Sequence, residues 1–128
     1  MPNFGTSYLS FIPSWSPEGG KYAIQKSAEY GFDMLEICLP SSLDFDTKTV
    51  KKQLSDYGLE ARCTLNLPSE CHLPLYPEKA LRLIKAAIDI VAEMEGNFLG
   101  GVLHSAIGEF TRQPCSASER ETVKQVFT

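Results

Sequence analysis

The chain has 128 residues, a length that suits one domain with a single hydrophobic core. Hydrophobic residues make up 43% of the chain and charged residues 22%, so the composition predicts a folded globular protein and not a disordered one. The formal net charge is -4, and no basic stripe is available to neutralise phosphates. We therefore expect neither a nucleic acid nor a membrane as a partner.

The sequence carries no recognisable signal for export or for membrane insertion. Residues 1–3 lack the basic segment of a signal peptide, and no stretch reaches the roughly 18 apolar residues that a membrane span needs. The four cysteines form no Cys-x-x-Cys pair, which argues against a zinc knuckle or a redox motif. A reduced, cytoplasmic protein is the expectation.

The first predicted strand, at about residues 5–11, is followed by a helix with a clear start. Ser16 is placed to cap this helix, and a proline occupies its first position. We expect the helix to run to Tyr30, with Ile24 and Ala28 facing inward.

A short repeat marks the places where helices end and strands begin. The quartet 30–33 precedes the apolar run 34–39, and the similar quartet 57–60 precedes the run 61–67. In each quartet a tyrosine is followed by a glycine, which can take the left-handed position that ends a helix. A looser third copy starts at Glu95 and predicts a fourth strand after it.

The second and third helices are predicted from the spacing of apolar residues. The second starts near Asp46 and is expected to bury Val50, Leu54 and Tyr57. The third opens at Pro77. Its predicted buried stripe comprises Ala80, Ile84, Ala87, Ile88, Val91 and Met94.

The last predicted element is a fourth helix that begins at Ser118. Glu121 lies three residues later, which is the spacing of a capping box. Strands and helices thus alternate along the chain, and this order predicts a parallel sheet with right-handed crossovers. Two architectures satisfy the order: an open doubly wound sheet, or part of a (βα)8 barrel.

The third predicted strand favours the barrel. Arg62, Thr64 and Asn66 alternate with apolar residues, whereas a central strand of a doubly wound sheet is covered by helices on both faces. The second strand carries Glu36 among apolar neighbours, where it either pairs with Arg62 on the adjacent strand, which we favour, or contacts a substrate. The sequence therefore predicts an α/β fold over residues 1–128, a (βα)4 half of a TIM barrel with parallel strands. The doubly wound open sheet is the alternative.

Two segments of the chain resemble a known family. Residues 31–37 and 57–61 are similar to the opening of the xylose-isomerase-like barrels, and the closest likeness is to the D-tagatose and D-psicose 3-epimerases. Tyr8 and Trp15 match the short first strand and the Trp-containing loop of those epimerases. The resemblance runs from about Gly5 to the fourth helix and covers the N-terminal half of the family barrel.

The resemblance implies a sugar isomerase or epimerase that depends on a divalent metal (Mn, Mg or Co). In the family, two Glu, one Asp and one His hold the metal, and the two Glu move a proton next to a carbonyl through an enediolate. Those residues lie in the second half of the family barrel, so none is carried over to this chain. We expect no catalytic residue, no metal ligand and no cofactor in the chain alone, and no activity from the isolated monomer.

What the resemblance carries over is part of a substrate wall. Trp15 matches an apolar wall against the sugar, Thr64 matches a pocket-lining position, and His104 resembles a metal-binding histidine of the related apurinic endonucleases. Trp15 also fits the role of a plug at the barrel mouth, and His104 that of an ordinary loop-end histidine. Glu70, Cys71 and His72 are consecutive and without partners, which argues against a metal site there. The predicted substrate-binding residues are Tyr8, Trp15, Glu36, Thr64, Asn66 and His104, and the predicted substrate is a sugar or a sugar phosphate.

Four parallel strands with helices on one face leave a bare inner face and two unpaired edges. We therefore expect a homo-oligomer in which two copies close an eight-stranded ring. A truncated piece of a longer protein is the alternative. Two classes of function stay open: a sugar isomerase or epimerase whose catalytic half lies elsewhere, and a non-catalytic binding or scaffold remnant of the barrel fold.

Overall fold

The computed structural model describes residues 1–128, in which four strands alternate with four helices. The strands are β1 (Gly5–Ser7), β2 (Met34–Cys38), β3 (Glu60–Leu67) and β4 (Leu99–Ala106). The helices are α1 (Pro17–Glu29), α2 (Thr47–Asp56), α3 (Pro77–Glu93) and α4 (Ala117–Val126). Short 3-10 turns follow two of the strands, at Tyr8–Ser10 and Ser69–Cys71. None of the helices combines the length and the apolar character that crossing a bilayer requires.

The strands form one parallel sheet in the order β1-β2-β3-β4. A strictly sequential order is that of a barrel wall, whereas a doubly wound sheet reverses its order at a switch point. The pairing of β2 with β3 runs from Met34 opposite Glu60 to Cys38 opposite Thr64. Strands β1 and β4 each pair on one side only, so the sheet has two open edges.

The hydrophobic core lies between the helices and one face of the sheet. Leu35 and Ile37 of β2 and Cys63 and Leu65 of β3 point into it and are fully buried. Each such aliphatic side chain contributes roughly 1.5–3 kcal/mol by leaving water. The helices meet them with Ala23, Ile24, Val50, Leu54, Ala80, Ile84, Ala87 and Val91.

The predicted start of α1 is confirmed. The Ser16 side chain accepts a hydrogen bond from Gly19 N at 3.0 Å, and the helix ends with Tyr30 as its C-cap. Gly31 and Gly58, the glycines of the repeated quartets, both have positive φ, at 78° and 68°. They reverse the chain at the ends of α1 and α2, as the repeat predicts.

Three element predictions were wrong in detail. The first strand ends at Ser7 and not at Phe11, because Ser7 caps the 3-10 turn through a bond from Leu9 N at 3.4 Å. Tyr57 is exposed because it is the C-cap of α2. Ile88 is also exposed, since about 100° of helical rotation separates it from buried Ala87.

The start of α4 also differs from the prediction of a cap at Ser118. Ser116 is the N-cap: its Oγ accepts from Glu119 N at 3.2 Å, and Ser116 N donates to the Glu119 carboxylate at 2.6 Å. This reciprocal pair is a capping box two residues earlier than expected. The shift lengthens α4 at its first turn.

Candidate functional site on the open face of the sheet

The face of the sheet turned away from the helices carries polar side chains. Glu36 and Cys38 of β2 and Arg62, Thr64 and Asn66 of β3 occupy it, because successive residues of a strand point to opposite faces. All are half-buried except Asn66, which is exposed. In a barrel this face would line the interior, and the carboxyl ends of the strands would hold the binding site.

Two diagonal hydrogen bonds join β2 and β3 on this face. Thr64 Oγ1 donates to Glu36 Oε1 at 2.9 Å, and Asn66 Nδ2 donates to Cys38 Sγ at 3.6 Å. Val102 N of β4 donates to Asn66 Oδ1 at 3.2 Å, so both ends of this amide are held. Each pair can form a further hydrogen bond, since Glu36 has a second carboxylate oxygen and Asn66 a second amide N–H. Such groups bind hydroxyls.

The predicted pairing of Glu36 with Arg62 is wrong. The two residues are opposite each other in the sheet register, yet Arg62 turns toward the amino ends of the strands. There it donates to Asn97 Oδ1 at 2.7 Å and to Glu60 Oε2 at 3.2 Å. Glu36 takes part in none of the ion pairs of the structure, and its protein partner is the Thr64 hydroxyl.

An aromatic group lies beside the carboxyl end of β2. Tyr8 is buried, and its ring meets the Trp15 ring edge-on at 5.5 Å between centroids. Trp15 in turn packs against Phe45 at 5.5 Å and 41°. A cavity of about 410 Å³ opens beside Trp15 and Phe45, next to Pro40. Phe45 was missed in the sequence, although an aromatic residue between two aspartates at a helix start was a usable signal.

Tyr8 connects the aromatic group to the polar pairs. Burial raises the pKa of its phenol, and the nearby Cys38 and Glu36 raise it further. The hydroxyl therefore stays protonated at neutral pH and remains a hydrogen-bond donor. Four of the six predicted residues, Tyr8, Trp15, Glu36 and Thr64, thus lie together, and Asn66 is the next inward residue of β3.

His104 lies apart from that group, in an irregular part of β4. Asn66 pairs with Val102 and Leu67 pairs with Ala106, so the segment 103–105 has no partner in β3. His72 fixes the far end of this segment, because its Nδ1 accepts a hydrogen bond from Ala106 N at 3.1 Å. His72 is buried, and the two histidines line a separate cavity of about 360 Å³. Its anchoring role was missed because the contact spans 34 residues of sequence.

The residues of this chain do not fit a divalent metal. Nowhere do three or more His, Cys, Asp or Glu side chains come together as a group that could hold one. A further cavity of about 360 Å³ lies at the amino ends of the strands, where Arg62 and Glu60 form an ion pair. That end of a barrel serves stability, so we place the candidate site at the opposite end.

Comparisons of sequence identify relatives of known activity. No family model matches the chain. The ketose 3-epimerase of Arthrobacter globiformis is 31% identical over 118 residues, covering 89% of this chain and 40% of the relative. The L-ribulose 3-epimerase of Methylomonas sp. (strain DH-1) is 29% identical over 111 residues, covering 84% of this chain and 39% of the relative. The chain therefore spans about two fifths of the length of these relatives.

Solved structures agree with this match. The D-allulose 3-epimerase from Methylomonas sp., in complex with D-allulose, superposes with a TM-score of 0.90 at 27% identity. The match covers 98% of this chain and 44% of that one. A D-psicose 3-epimerase crystallised in the presence of D-fructose shares the fold with a TM-score of 0.83 at 21% identity. In sequence and in fold, this chain is a relative of the ketose 3-epimerases and corresponds to the N-terminal half of their TIM barrel.

Proposed function

We propose that this chain forms the N-terminal substrate wall of a sugar isomerase or epimerase that acts on a ketose or a ketose phosphate. The observation that carries the proposal is the open face at the carboxyl ends of β2 and β3. There the Glu36–Thr64 hydrogen bond lies near buried Tyr8, whose ring contacts half-buried Trp15. An apolar wall next to convergent hydroxyl-binding groups has the composition of a sugar site.

Each side chain of the group has a distinct role in this proposal. The Trp15 ring packs against the carbon–hydrogen face of the sugar, and the free oxygen of Glu36 accepts from a sugar hydroxyl. Thr64 positions that carboxylate by donating to its other oxygen. Asn66 offers its second amide N–H as a donor, and the Tyr8 hydroxyl offers another. His104 contributes to sugar binding from the separate cavity at the end of β4.

The chemical step is proposed to need groups from outside these residues. Epimerisation in the full-length protein would depend on a divalent metal, and no cluster of this chain is suited to hold one. We therefore propose that a second half of the barrel supplies the metal ligands and the proton-transfer groups. For the non-catalytic alternative, we propose that a second copy of the chain, which lacks those groups, closes the ring. The four cysteines are unpaired, which supports a reducing, cytoplasmic location.

A non-catalytic binding or scaffold domain is the second candidate function. It is favoured by the way in which the open face holds together without a ligand. Asn66 is held at both ends by Cys38 and Val102, and Glu36 is held by Thr64. A face of this kind keeps its shape after the chemistry is lost.

Trp15 is the only tryptophan, so its fluorescence reports on the proposed site directly. Titration with D-allulose or D-tagatose should give a saturable change, and Glu36→Gln should weaken it several-fold. Glu60→Gln is the matched control, because this exposed carboxylate lies on β3 at the opposite end of the face. A linear, non-saturating response would contradict ketose binding.

Turnover separates the two candidate functions. The isolated monomer should not epimerise either ketose, with or without added Mn²⁺, because it lacks a metal-holding cluster. Measurable turnover by the monomer would contradict the proposal that the catalytic groups lie elsewhere. Saturable sugar binding without turnover in any assembled state would favour the binding domain.

A further inference from the structure

The cavity of about 410 Å³ beside Trp15 and Phe45 is separate from the open face of the sheet. It lies between the starts of α1 and α2, because Ser16 and Asp46, the N-caps of these two helices, both line it. No residue of the four strands lines it. Its volume falls within the range of about 300–1,000 Å³ that small-molecule sites occupy. The cavity is therefore a second candidate for a binding site.

Several polar side chains of the lining have groups without a partner in the protein. Gln53 and Trp15 are half-buried, and neither the Gln53 amide nor the Trp15 ring N–H forms a hydrogen bond within the chain. No polar side-chain atom is both fully buried and unpartnered, so these groups reach water. The Asp44 carboxylate is also unpaired, and Asp46 uses one oxygen to accept from Thr49 N at 3.1 Å. The lining thus provides both donors and acceptors.

The charge of the lining disfavours an anion. It includes the carboxylates of Asp44 and Asp46, and no lysine, arginine or histidine lines the cavity. Hydrogen bonding from Thr49 lowers the pKa of Asp46, so this carboxylate is ionised at neutral pH. Asp46 also takes the place that an anion would have at the start of α2. A phosphate would meet repulsion here, whereas a neutral ligand with hydroxyl groups would not.

The apolar wall of the cavity is held in a fixed shape. Trp15 and Phe45 pack at 5.5 Å between ring centroids, and both pack against the core. The turn before Phe45 contains Leu43 with φ of 55°, a left-handed conformation that leucine rarely adopts. Leu43 N donates to Pro40 O at 2.8 Å, and its side chain packs against the core. Strained turns that packing holds in place are typical of ligand-binding segments.

We propose that this cavity binds a neutral sugar ring, as a second carbohydrate subsite beside the open face. The aromatic wall of Trp15 and Phe45 packs against the carbon–hydrogen face of the ring. Gln53 and the Trp15 N–H donate to its hydroxyls, and Asp44 accepts from them. Trp15 contacts Tyr8 as well as Phe45, so it lies between the two sites. The bound ring is either a free monosaccharide or the second unit of a disaccharide that ends in a ketose.

Methyl α-D-glucopyranoside is the probe for this subsite, because it is a neutral sugar that is not a ketose and cannot open its ring. Titration should change the Trp15 fluorescence in a saturable manner. Gln53→Ala should weaken binding roughly three- to tenfold, as expected for the loss of one hydrogen bond. Glu36→Gln should leave it unchanged. Gln113→Ala is the matched control, since Gln113 lines the separate cavity at the end of β4.

Nuclear magnetic resonance gives a second readout at the same residue. The side-chain amide signals of Gln53, which the Gln53→Ala spectrum identifies by their absence, should shift as methyl glucoside is added. The side-chain amide signals of Gln113 should stay in place. Circular dichroism shows that the variants are folded.

D-Glucose 6-phosphate tests the argument from charge. It should bind less tightly than methyl glucoside, and Asp44→Asn should reduce that difference. Asp89→Asn is the matched control, since Asp89 is exposed on α3 and lies outside the lining. Tighter binding of the phosphate than of methyl glucoside by the native protein would contradict a neutral ligand.

Isomaltulose, in which glucose is linked to a ketose, distinguishes the two sources of the ring. Tighter binding than that of methyl glucoside, weakened by both Glu36→Gln and Gln53→Ala, would show one disaccharide across both sites. Equal binding that is weakened by Gln53→Ala alone would show a free monosaccharide.

The subsite would be overturned by a non-saturating response to methyl glucoside, or by equal losses from Gln53→Ala and Gln113→Ala. A loss from Glu36→Gln as large as that from Gln53→Ala would place the glucoside on the open face and would also overturn it. Because the probe is not a ketose, the inference does not depend on the proposed function. Saturable binding of methyl glucoside without any binding of D-allulose or D-tagatose would contradict the proposed function and leave the subsite standing.

Discussion

The hydrogen bond between Thr64 and Glu36 holds a carboxylate on the open face without a cation. Both residues are half-buried, and the donor is a neutral hydroxyl at 2.9 Å. A bond to a charged acceptor stabilises a fold by about 1.5–3 kcal/mol when fully shielded, and partial exposure lowers this. The sequence placed both residues on the open face but predicted the wrong partner for Glu36. The alternation of a strand shows which face of the sheet a residue occupies, but it does not show the direction in which a long side chain such as that of Arg62 turns along that face.

Thr64→Val should therefore destabilise the chain by about 1 kcal/mol, since valine keeps the shape of threonine and removes the donor. Urea denaturation measures the change. In a Glu36→Ala background the same substitution should cost almost nothing, and this double-mutant cycle is the control. Equal losses in both backgrounds would mean that the hydroxyl acts through another contact.

Trp15 depends on a glycine in α1. A Cβ atom on Gly20 would lie 2.4 Å from Trp15 Cζ2, far inside van der Waals contact. Alanine in a helix is ordinarily better than glycine by about 1 kcal/mol, but overpacking costs about 1–3 kcal/mol and decides the sign here. No feature of the sequence alone pairs these residues, since the contact depends on how the loop before α1 folds back.

Gly20→Ala should lower the stability and change the Trp15 emission maximum as the indole ring is displaced. The free energy of unfolding and the fluorescence spectrum are the measurements. Trp15→Phe, which shortens the ring, should remove most of the penalty in the double variant. A stabilised Gly20→Ala protein with unchanged emission would show that the loop adapts without strain.

Helix starts were predictable where only one cap fits. Ser16 followed by proline defines a single start for α1. The start of α4, in contrast, has two possible capping boxes two residues apart, Ser116 with Glu119 and Ser118 with Glu121. The earlier one forms, and Arg120 Nη1 adds a bond to Cys115 O at 2.6 Å. Local spacing cannot rank the two boxes, because the arginine bond that accompanies the first lies outside the capping pattern.

The cap of α4 should be sensitive to acid. The bond from Ser116 N lowers the pKa of Glu119, so its folded pKa lies below the unfolded one. The stabilisation is present above the unfolded pKa and is lost as the pH falls through the folded pKa, that is, below about pH 4. The protection of amides in the first turn of α4, measured relative to their intrinsic exchange rates, should therefore fall in that range.

Glu119→Gln should remove this pH dependence while keeping the cap, since glutamine also accepts from the Ser116 amide. Glu121→Gln on the same helix should retain the native profile. An acid transition that survives in Glu119→Gln would assign the effect to other carboxylates. Asp46 is the first to examine, because its pKa is lowered by Thr49 at the start of α2.

At the scale of the whole molecule, the alternation of elements and the polar face of β3 were enough to predict a half-barrel, and the match to solved epimerases confirms it. The contacts that shape the site were not predictable. Arg62 meets Asn97, Asn66 meets Val102, and Ala106 meets His72, across 34 to 36 residues of chain. Periodicity reports which face a residue occupies, and such distant pairs depend on how neighbouring strands are staggered.

Hydrogen exchange should rank the strands by their place in the sheet. The amides of β2 and β3 have neighbours on both sides and should exchange slowest at low protein concentration. The amides of β1 and β4 should be less protected, because each of these strands pairs on one side only. Protection of β4 equal to that of β2 and β3 would contradict an open edge at β4.

The unpaired segment 103–105 has a consequence for how such proteins diversify. Val102 is tied to Asn66 on one side and Ala106 to His72 on the other, so both ends of the segment are anchored. A residue added or lost between these anchors would reshape the rim near His104 without shifting the register of β3 and β4 below it. Small insertions and deletions in this segment can thus change the mouth of the barrel during evolution, while the packing of the core stays the same.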